Sequence, residues 1–479
     1  MKRTLKQIWI FVAITSISLA SCSLDPKITE NIDYEKNPIS TAEELGANLI
    51  GTYALMADAN YYGNNIIAFS EVRSDNAYST NRTNRLGNVS SSALTTSARY
   101  TADTWKQIYL VISETNRAIE ANIKEDNAVI NLKGQAYALR ALAHYDALRI
   151  YGQQYVDNKG LDAVGIPYIT KYAAIKAEVT RGTVAANRAS IYADLDKAIE
   201  LLTKANSGEK VKISLAAAYG LKARIALFFS NWDDEDLVIA KENAQQAMES
   251  SNAGIIDRFA FVSSYSADDA QSNSVFELKQ SGVDNPGTDS LFYLYLAPAA
   301  GGYGDIVVNF KVEDLFEADA PKDILDGDGE VIETIPANDI RADRTMIDVV
   351  RGDLRNLGKY PKMTSNLKLM RFEELILIFV EADFRINNGV TAESLGYFQA
   401  LKKKRLTTFT NLTTYTLEDI RIERQKELLF EGFGFEDLMR FHLPVVNRYG
   451  TIEYGESVLA FPIPQSEINA SGIPQNKGY

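Results

Sequence analysis

Residues 371–386 read RFEELILIFVEADFRI. Within that run Leu375, Ile378, Phe379, Ala382 and Ile386 recur at helical spacing, so they stack along one side of an α-helix. Arg371 and Glu374 are three apart, and Glu381 lies about one turn beyond Ile378. Two readings fit these charges. They are a catalytic carboxylate pair, or they are ion pairs that lock neighbouring helices. The second is favoured, because nothing in the sequence pairs two carboxylates across a reaction centre.

The same periodicity extends outward. Trp105, Ile108, Ile112 and Ile119 predict a helix over about 103–123. Ala138, Leu142, Tyr145 and Arg149 predict a second that ends near Tyr151-Gly152. Ile191, Leu195, Ile199 and Leu202 mark a third, residues 215–229 a fourth, and Ala240, Ala244 and Ala247 a fifth. Ser40 or Thr41 precedes Glu43 and Glu44 as an N-cap. Tyrosine or phenylalanine on one helix alternates with alanine on the next. Tetratricopeptide-like hairpins pack in that way, a small residue admitting its neighbour's ring. The expected fold is mainly α, an irregular superhelix of helical pairs with a few short strands such as residues 274–279. Residues 41–250 and 251–479 are read as two regions of one integrated unit.

Long non-helical stretches separate the pairs. Residues 59–98 are rich in Asn, Ser, Thr and Gly, and residues 250–342 carry Gly, Pro and Asp. Such segments usually hold the working surface. Tyrosine is abundant at 25 residues, while Trp105 and Trp232 lie in the helical framework. A platform for flat, hydroxyl-bearing ligands must therefore use tyrosines, with Asn, Asp and Arg for polar groups. Candidates in the first loop are Tyr61, Tyr62, Asn64, Tyr78, Asn81, Arg82, Arg85 and Tyr100; in the second, Phe292, Tyr293, Tyr295 and Tyr303. For any single tyrosine, loop packing is the plainer reading.

The N-terminus has its own logic. Lys2, Arg3 and Lys6 precede an apolar run, then Leu19-Ala20-Ser21-Cys22. This is the order of a bacterial lipoprotein signal, residues 1–21, cut before a Cys22 that takes acyl chains. Residues 22–40 read as a lipidated tether. Cys22 is the one cysteine, which excludes disulfides.

The net charge of −13 argues against nucleic acid and against electrostatic docking on an anionic bilayer. With one cysteine and two histidines, a zinc or iron–sulfur site has no ligand set. His144, in an aromatic helical stripe, reads as core. Asp323, Asp326, Asp328 and Glu330 give a weak calcium candidate, since Val331 stands where a calcium loop has glycine. No cofactor is expected.

Six blocks fall in series. They are Asn116-Arg117-Ala118-Ile119; residues 134–141 with Arg149-Ile150-Tyr151-Gly152; residues 221–228 with Asn231-Trp232; Arg371–Leu375 with Glu381-Ala382; Glu423–Leu428 with Glu431-Gly432, Asp437-Leu438 and Arg440; and residues 461–468 with Gln475-Asn476 and Gly478-Tyr479. After a lipoprotein signal, this set resembles the SusD/RagB family of surface nutrient-binding lipoproteins over essentially the whole mature chain. The resemblance implies a non-catalytic, lipid-anchored protein on the outer face of the outer membrane. It implies a lid on a SusC-type TonB-dependent transporter, with the helices toward the transporter and the loops forming the ligand site. The ligand it implies is an oligosaccharide or, as in RagB-like proteins, an oligopeptide. Glu423, Arg424, Glu427, Glu431, Asp437 and Arg440 then belong to structural motifs. The family commonly has arginine two residues after the glycine of its Glu-Gly motif. Here that place is Gly434, so the charged contact usual there is expected to be missing.

Overall fold

The computed structural model describes residues 38–172 and 179–479. The signal segment, Cys22 and most of the expected tether lie outside the described residues.

Thr41 supplies the first N-cap, in a capping box with Glu44, and opens α1 (Ala42–Ala57). There follow α2 (Asn65–Val72), α3 (Arg99–Glu120), α4 (Asn127–Tyr151), α5 (Val184–Lys204), α6 (Leu215–Phe229) and α7 (Glu235–Ser250). After a long irregular section come α8 (Phe372–Asn387), α9 (Ala392–Lys403), α10 (Leu417–Leu428) and α11 (Gly434–Arg440). Side-chain oxygens of Asp126, Thr183, Ser214, Thr391 and Thr416 cap α4, α5, α6, α9 and α10. α4 packs on α3 and α5, and α6 packs on α7. Ala240, Ala244 and Ala247 are fully buried on α7, the close approach that small residues permit. Residues 39–479 make one compact unit. Among the described residues no helix is long and apolar enough to cross a membrane.

Two expectations need correction. α8 has no single apolar stripe: residues 373–383 are all buried, because α6, α7, α9 and α10 surround it. Ile386, assigned to the stripe, is 38% exposed at its end. Residues 59–98 are also not helix-free. α2 lies there with all eight residues buried, so it carries no amphipathic period to betray it.

The strands form short antiparallel pairs. β1 (Ala77–Ser79) pairs with β3 (Ile306–Val308), and β2 (Ser274–Leu278) with β8 (Leu367–Arg371). β4 (Lys322–Leu325) and β5 (Val331–Ile335) form a hairpin, as do β6 (Ile347–Val350) with β7 (Asp353–Asn356) and β9 (Val445–Asn447) with β10 (Gly450–Ile452).

The motif charges are structural. Glu427 accepts from Arg405 through both oxygens at 2.8 Å, from Arg371 at 2.9 Å and from Arg341 at 3.0 Å. Glu431 accepts from Arg371 at 2.8 Å and from Lys359 at 2.5 Å. Glu374 pairs with Arg224 rather than Arg371, and Glu381 with Arg440. These side chains are at most 10% exposed, and the arginines hold the Glu427 carboxyl well below its ordinary value. Both Glu427 oxygens are taken by arginines, which leaves neither for acid–base work, whereas Glu381 uses one oxygen on Arg440 and keeps the other buried without a partner.

Gly432 has φ +86°, and a Cβ there would lie 3.1 Å from the Ile67 Cα, so this turn needs glycine. At Gly434 a Cβ would lie 2.5 Å from the Asn76 amide nitrogen and 2.6 Å from the Ser74 hydroxyl. Any side chain there, arginine included, must displace both of these groups.

His144 is a core residue. Its Nδ1 meets the Arg140 carbonyl at 2.9 Å, its Nε2 accepts from the Ile169 N–H at 2.9 Å, and its ring stacks on Tyr168 at 3.7 Å. Burial pushes its pKa down to about 3. Trp105 is buried, and Trp232 packs on Phe228 and Gly160.

Candidate ligand-binding site

The two loops singled out in the sequence meet in space. The β1–β3 ladder aligns Tyr78 with Val307 and Ser79 with Ile306. Just beyond it, the Thr83 N–H donates to Asp305 at 2.8 Å, and its hydroxyl donates to the same carboxylate. Asn64 donates its amide N–H to the Asp289 carbonyl at 2.9 Å, and Arg85 pairs with the Asp289 carboxylate at 3.4 Å.

Between the loops lies a cavity of about 640 Å³. Six asparagines line it, Asn60, Asn64, Asn65, Asn84, Asn88 and Asn285. Asp58, Asp289, Arg85, Arg99 and Tyr100 add polar groups, and Leu94, Ala98 and Pro286 add apolar wall. Asn60, Asn64, Asn65 and Asn285 each donate within the protein, to Asp58, Asp289, Thr104 and Ser281, and an amide has two donors and an acceptor, so the groups left over match a ligand able both to give and to take hydrogen bonds. The amide oxygen of Asn64 is buried and has no partner in the protein. The Tyr100 hydroxyl accepts from the Leu86 N–H at 3.1 Å, its ring meets Phe69 edge-on, and burial raises its pKa.

An aromatic ledge adjoins this cavity through Arg85. The guanidinium lies 3.9 Å from the centroid of the half-buried Tyr303 ring. Tyr303 lies 6.0 Å from Tyr293, and Tyr293 lies 5.0 Å from Phe292. The C-terminal hairpin joins the same surface. Its Tyr449 hydroxyl donates to the Ser79 carbonyl at 2.6 Å, and Arg448 sits between the rings of Tyr78, at 5.1 Å, and Tyr449, at 5.6 Å.

Three expected site residues are core instead. Tyr61 is fully buried and donates to Asp146 at 2.7 Å. Tyr295 is buried against Tyr360 and Phe430. Tyr62 is buried facing a separate cavity of about 40 Å³ walled by Arg149, Arg224 and Arg424. A tyrosine in a loop goes inward when a helix supplies a polar partner for its hydroxyl, as α4 does for Tyr61. Asn81 and Arg82 are exposed in the tight turn after β1, where Asn81 takes φ +54°. Asn64, Arg85 and Tyr100 line the cavity, Tyr303 meets Arg85 and continues through Tyr293 to Phe292, and Tyr78 lies against Arg448. Five of the six asparagines, with Arg448 and Tyr449, were not singled out from sequence. The asparagine enrichment of the loops was the available signal for the amides; the hairpin residues had none.

The acidic turn is closed by its own backbone. One Asp326 carboxylate oxygen accepts from the Asp328 and Glu330 N–H groups, both at 2.9 Å, while Asp323 pairs with Arg344. Among the described residues no group of three His, Cys, Asp or Glu side chains is placed to hold a metal ion.

Residues 25–227 match a family model described as "Starch-binding associating with outer membrane", and residues 356–479 match one described as "SusD family". The chain belongs to the SusD family. Its fold is that of a putative sugar-binding protein from Bacteroides vulgatus, with a TM-score of 0.79, 22% identity, and coverage of 92% of this chain and 99% of that one. A surface glycan-binding protein A from Bacteroides fluxus superposes with a TM-score of 0.70 at 21% identity, over 92% of this chain and all of that one. The SusD-like protein P2 of Formosa agariphila is 26% identical over 196 residues, which span 38% of this chain and 37% of that relative.

Proposed function

We propose that this SusD-family chain is a surface lipoprotein that captures an oligosaccharide, without cleaving it, and delivers it to a SusC-type TonB-dependent transporter in the outer membrane. The observation that carries the reading is the cavity of about 640 Å³ lined by six asparagines beside the Tyr293–Tyr303 ledge. Amides bind hydroxyls in either sense, and tyrosine faces pack on the C–H faces of sugar rings. Two structural relatives are named as sugar- and glycan-binding proteins, which supports the same ligand class. The pairing of the motif carboxylates with buried arginines supports binding without catalysis. A lipid on Cys22 supplies the anchor, and the two regions 41–250 and 251–479 act as one body.

Calorimetry against a panel of plant and host glycans tests the reading. Saturable binding to at least one glycan, with no release of reducing ends, is expected. Binding to none of them, together with binding to a mixed peptide digest, overturns it.

A further inference from the structure

A second large cavity, about 490 Å³, shares no lining residue with the first. Its floor is apolar: Val312, Phe316 and Leu354 are buried there. Its rim is acidic, formed by Glu313, Asp314, Glu317 and Asp348. Among the described residues none of these four carboxylates forms a close ion pair, and only Asp348 lies within electrostatic reach of Arg344, although the carboxylates of the core are densely paired. Arg344, the cation of this wall, is drawn to Asp323 at 2.5 Å.

The groove runs into the β4–β5 hairpin, because Pro321 lines it and Lys322 opens β4. Every residue of both strands is exposed. Ile324, Leu325, Val331 and Ile335 are 40–54% exposed, and Ile332 is 64% exposed. A lone two-stranded hairpin is marginal in water, and a ridge of bare aliphatics beside an apolar groove marks a surface that another molecule covers.

We propose that this groove and hairpin dock a polypeptide segment of a partner protein that carries lysine or arginine among apolar side chains. Charge chooses that occupant. Unpaired carboxylates on the rim, with Asp326, Asp328 and Glu330 at the hairpin tip, repel an anionic bilayer and attract cationic side chains. A second copy of this chain, at a net charge of −13, meets the same repulsion. The proposal is independent of what fills the first cavity.

The test uses the whole chain and two labelled synthetic peptides of about twelve residues, long enough to span groove and hairpin when extended. One alternates lysine with leucine, the other glutamate with leucine. Fluorescence anisotropy is expected to show saturable binding of the lysine peptide alone. The triple variant Glu313→Gln, Glu317→Gln, Asp348→Asn and the double variant Ile324→Ser, Ile332→Ser are each expected to weaken it by about tenfold or more. The same charge removed on α7, through Glu235→Gln, Glu242→Gln and Glu249→Gln, is expected to leave it unchanged. Absence of saturable binding, or an equal loss from the α7 variant, overturns the proposal. Sedimentation equilibrium that finds a dimer of the wild-type chain, lost in Ile324→Ser, Ile332→Ser, also overturns it, since a second copy then fills the groove.

Discussion

The guanidinium of Arg85 lies 3.9 Å from the centre of the Tyr303 ring, so a residue of the first loop holds an aromatic face of the second. A cation seated on a ring face helps fix its orientation, and the half-buried ring keeps part of its surface open to a ligand. Tyr303→Ala and Tyr293→Ala are each expected to lower the affinity for a bound oligosaccharide by about 3- to 10-fold, the range for losing one aromatic contact. Tyr295→Phe, at a ring buried against Tyr360 and Phe430, should leave affinity unchanged. Calorimetry on the three variants checks this. Equal losses from all three would show that the ledge acts only through folding.

Much of the framework was legible because its signals are local. α6 spans residues 215–229 as its pattern predicted, with Ser214 capping it and alanines where α7 approaches. α2 was not legible, because burial on every side erases periodicity. The site was half legible for a related reason. Tyr61 and Tyr303 stand in loops of similar composition, yet Tyr61 turns inward to Asp146 and Tyr303 stays under Arg85. Both partners are far off in sequence, and the β1–β3 pairing, the Thr83–Asp305 and Asn64–Asp289 hydrogen bonds and the Arg85–Asp289 ion pair bring the loops together. Gly434 was read as a lost charge; in the structure it is a close approach to Ser74 and Asn76.

Glu427 is the acceptor on which three buried arginines converge, and its loss is expected to be severe. Removing one partner of a buried ion pair leaves uncompensated charge and typically costs about 3–5 kcal/mol. Glu427→Ala should fall in or above that range by urea denaturation. Glu418→Ala removes a partner of Arg421 that is 60% exposed, and should cost under about 1 kcal/mol. Similar effects at the two sites would contradict the structural role assigned to the buried network.

Glu71 gives stability a pH signature. Its carboxylate accepts from the Gly432 and Phe433 N–H groups at 2.8 and 3.2 Å and from Asn76 at 2.9 Å, yet burial pushes its pKa up from 4.5 to about 7. Between those values the native chain holds a proton that the unfolded chain has released. Stability from this group therefore falls as pH rises, by about 1.4 kcal/mol per unit. His144, lowered from 6.5 to about 3, acts oppositely, since there the unfolded chain binds the extra proton. Subtracting wild type from Glu71→Gln cancels His144. The variant's stability relative to wild type should rise from pH 4.5 to 7 and stay level outside that window. The offset of setting a glutamine N–H against Asn76 is independent of pH. Denaturation at half-unit pH steps measures the difference, and a flat line would rule out Glu71 as the source.

Gly434 opens α11 against the segment that leads into β1, and its missing side chain is a requirement of that contact. A Cβ would meet the Ser74 hydroxyl at 2.6 Å and the Asn76 amide at 2.5 Å. Neither neighbour is free to retreat, because Ser74 donates to the Glu71 carbonyl at 2.8 Å and Asn76 to the Glu71 carboxylate at 2.9 Å. Gly434→Ala is expected to cost about 1–3 kcal/mol, the usual range for overpacking a close contact. Gly434→Arg should cost more, since a longer side chain meets the same two neighbours and adds a cation beside Arg421 and Arg424. Adding Ser74→Gly to Gly434→Ala removes one of the two clashes and should recover part of the loss, a coupling that a double-mutant cycle in urea measures. Strict additivity of the two changes, or full stability of Gly434→Ala alone, would mean that the helix shifts freely and that the contact does not hold β1 in place.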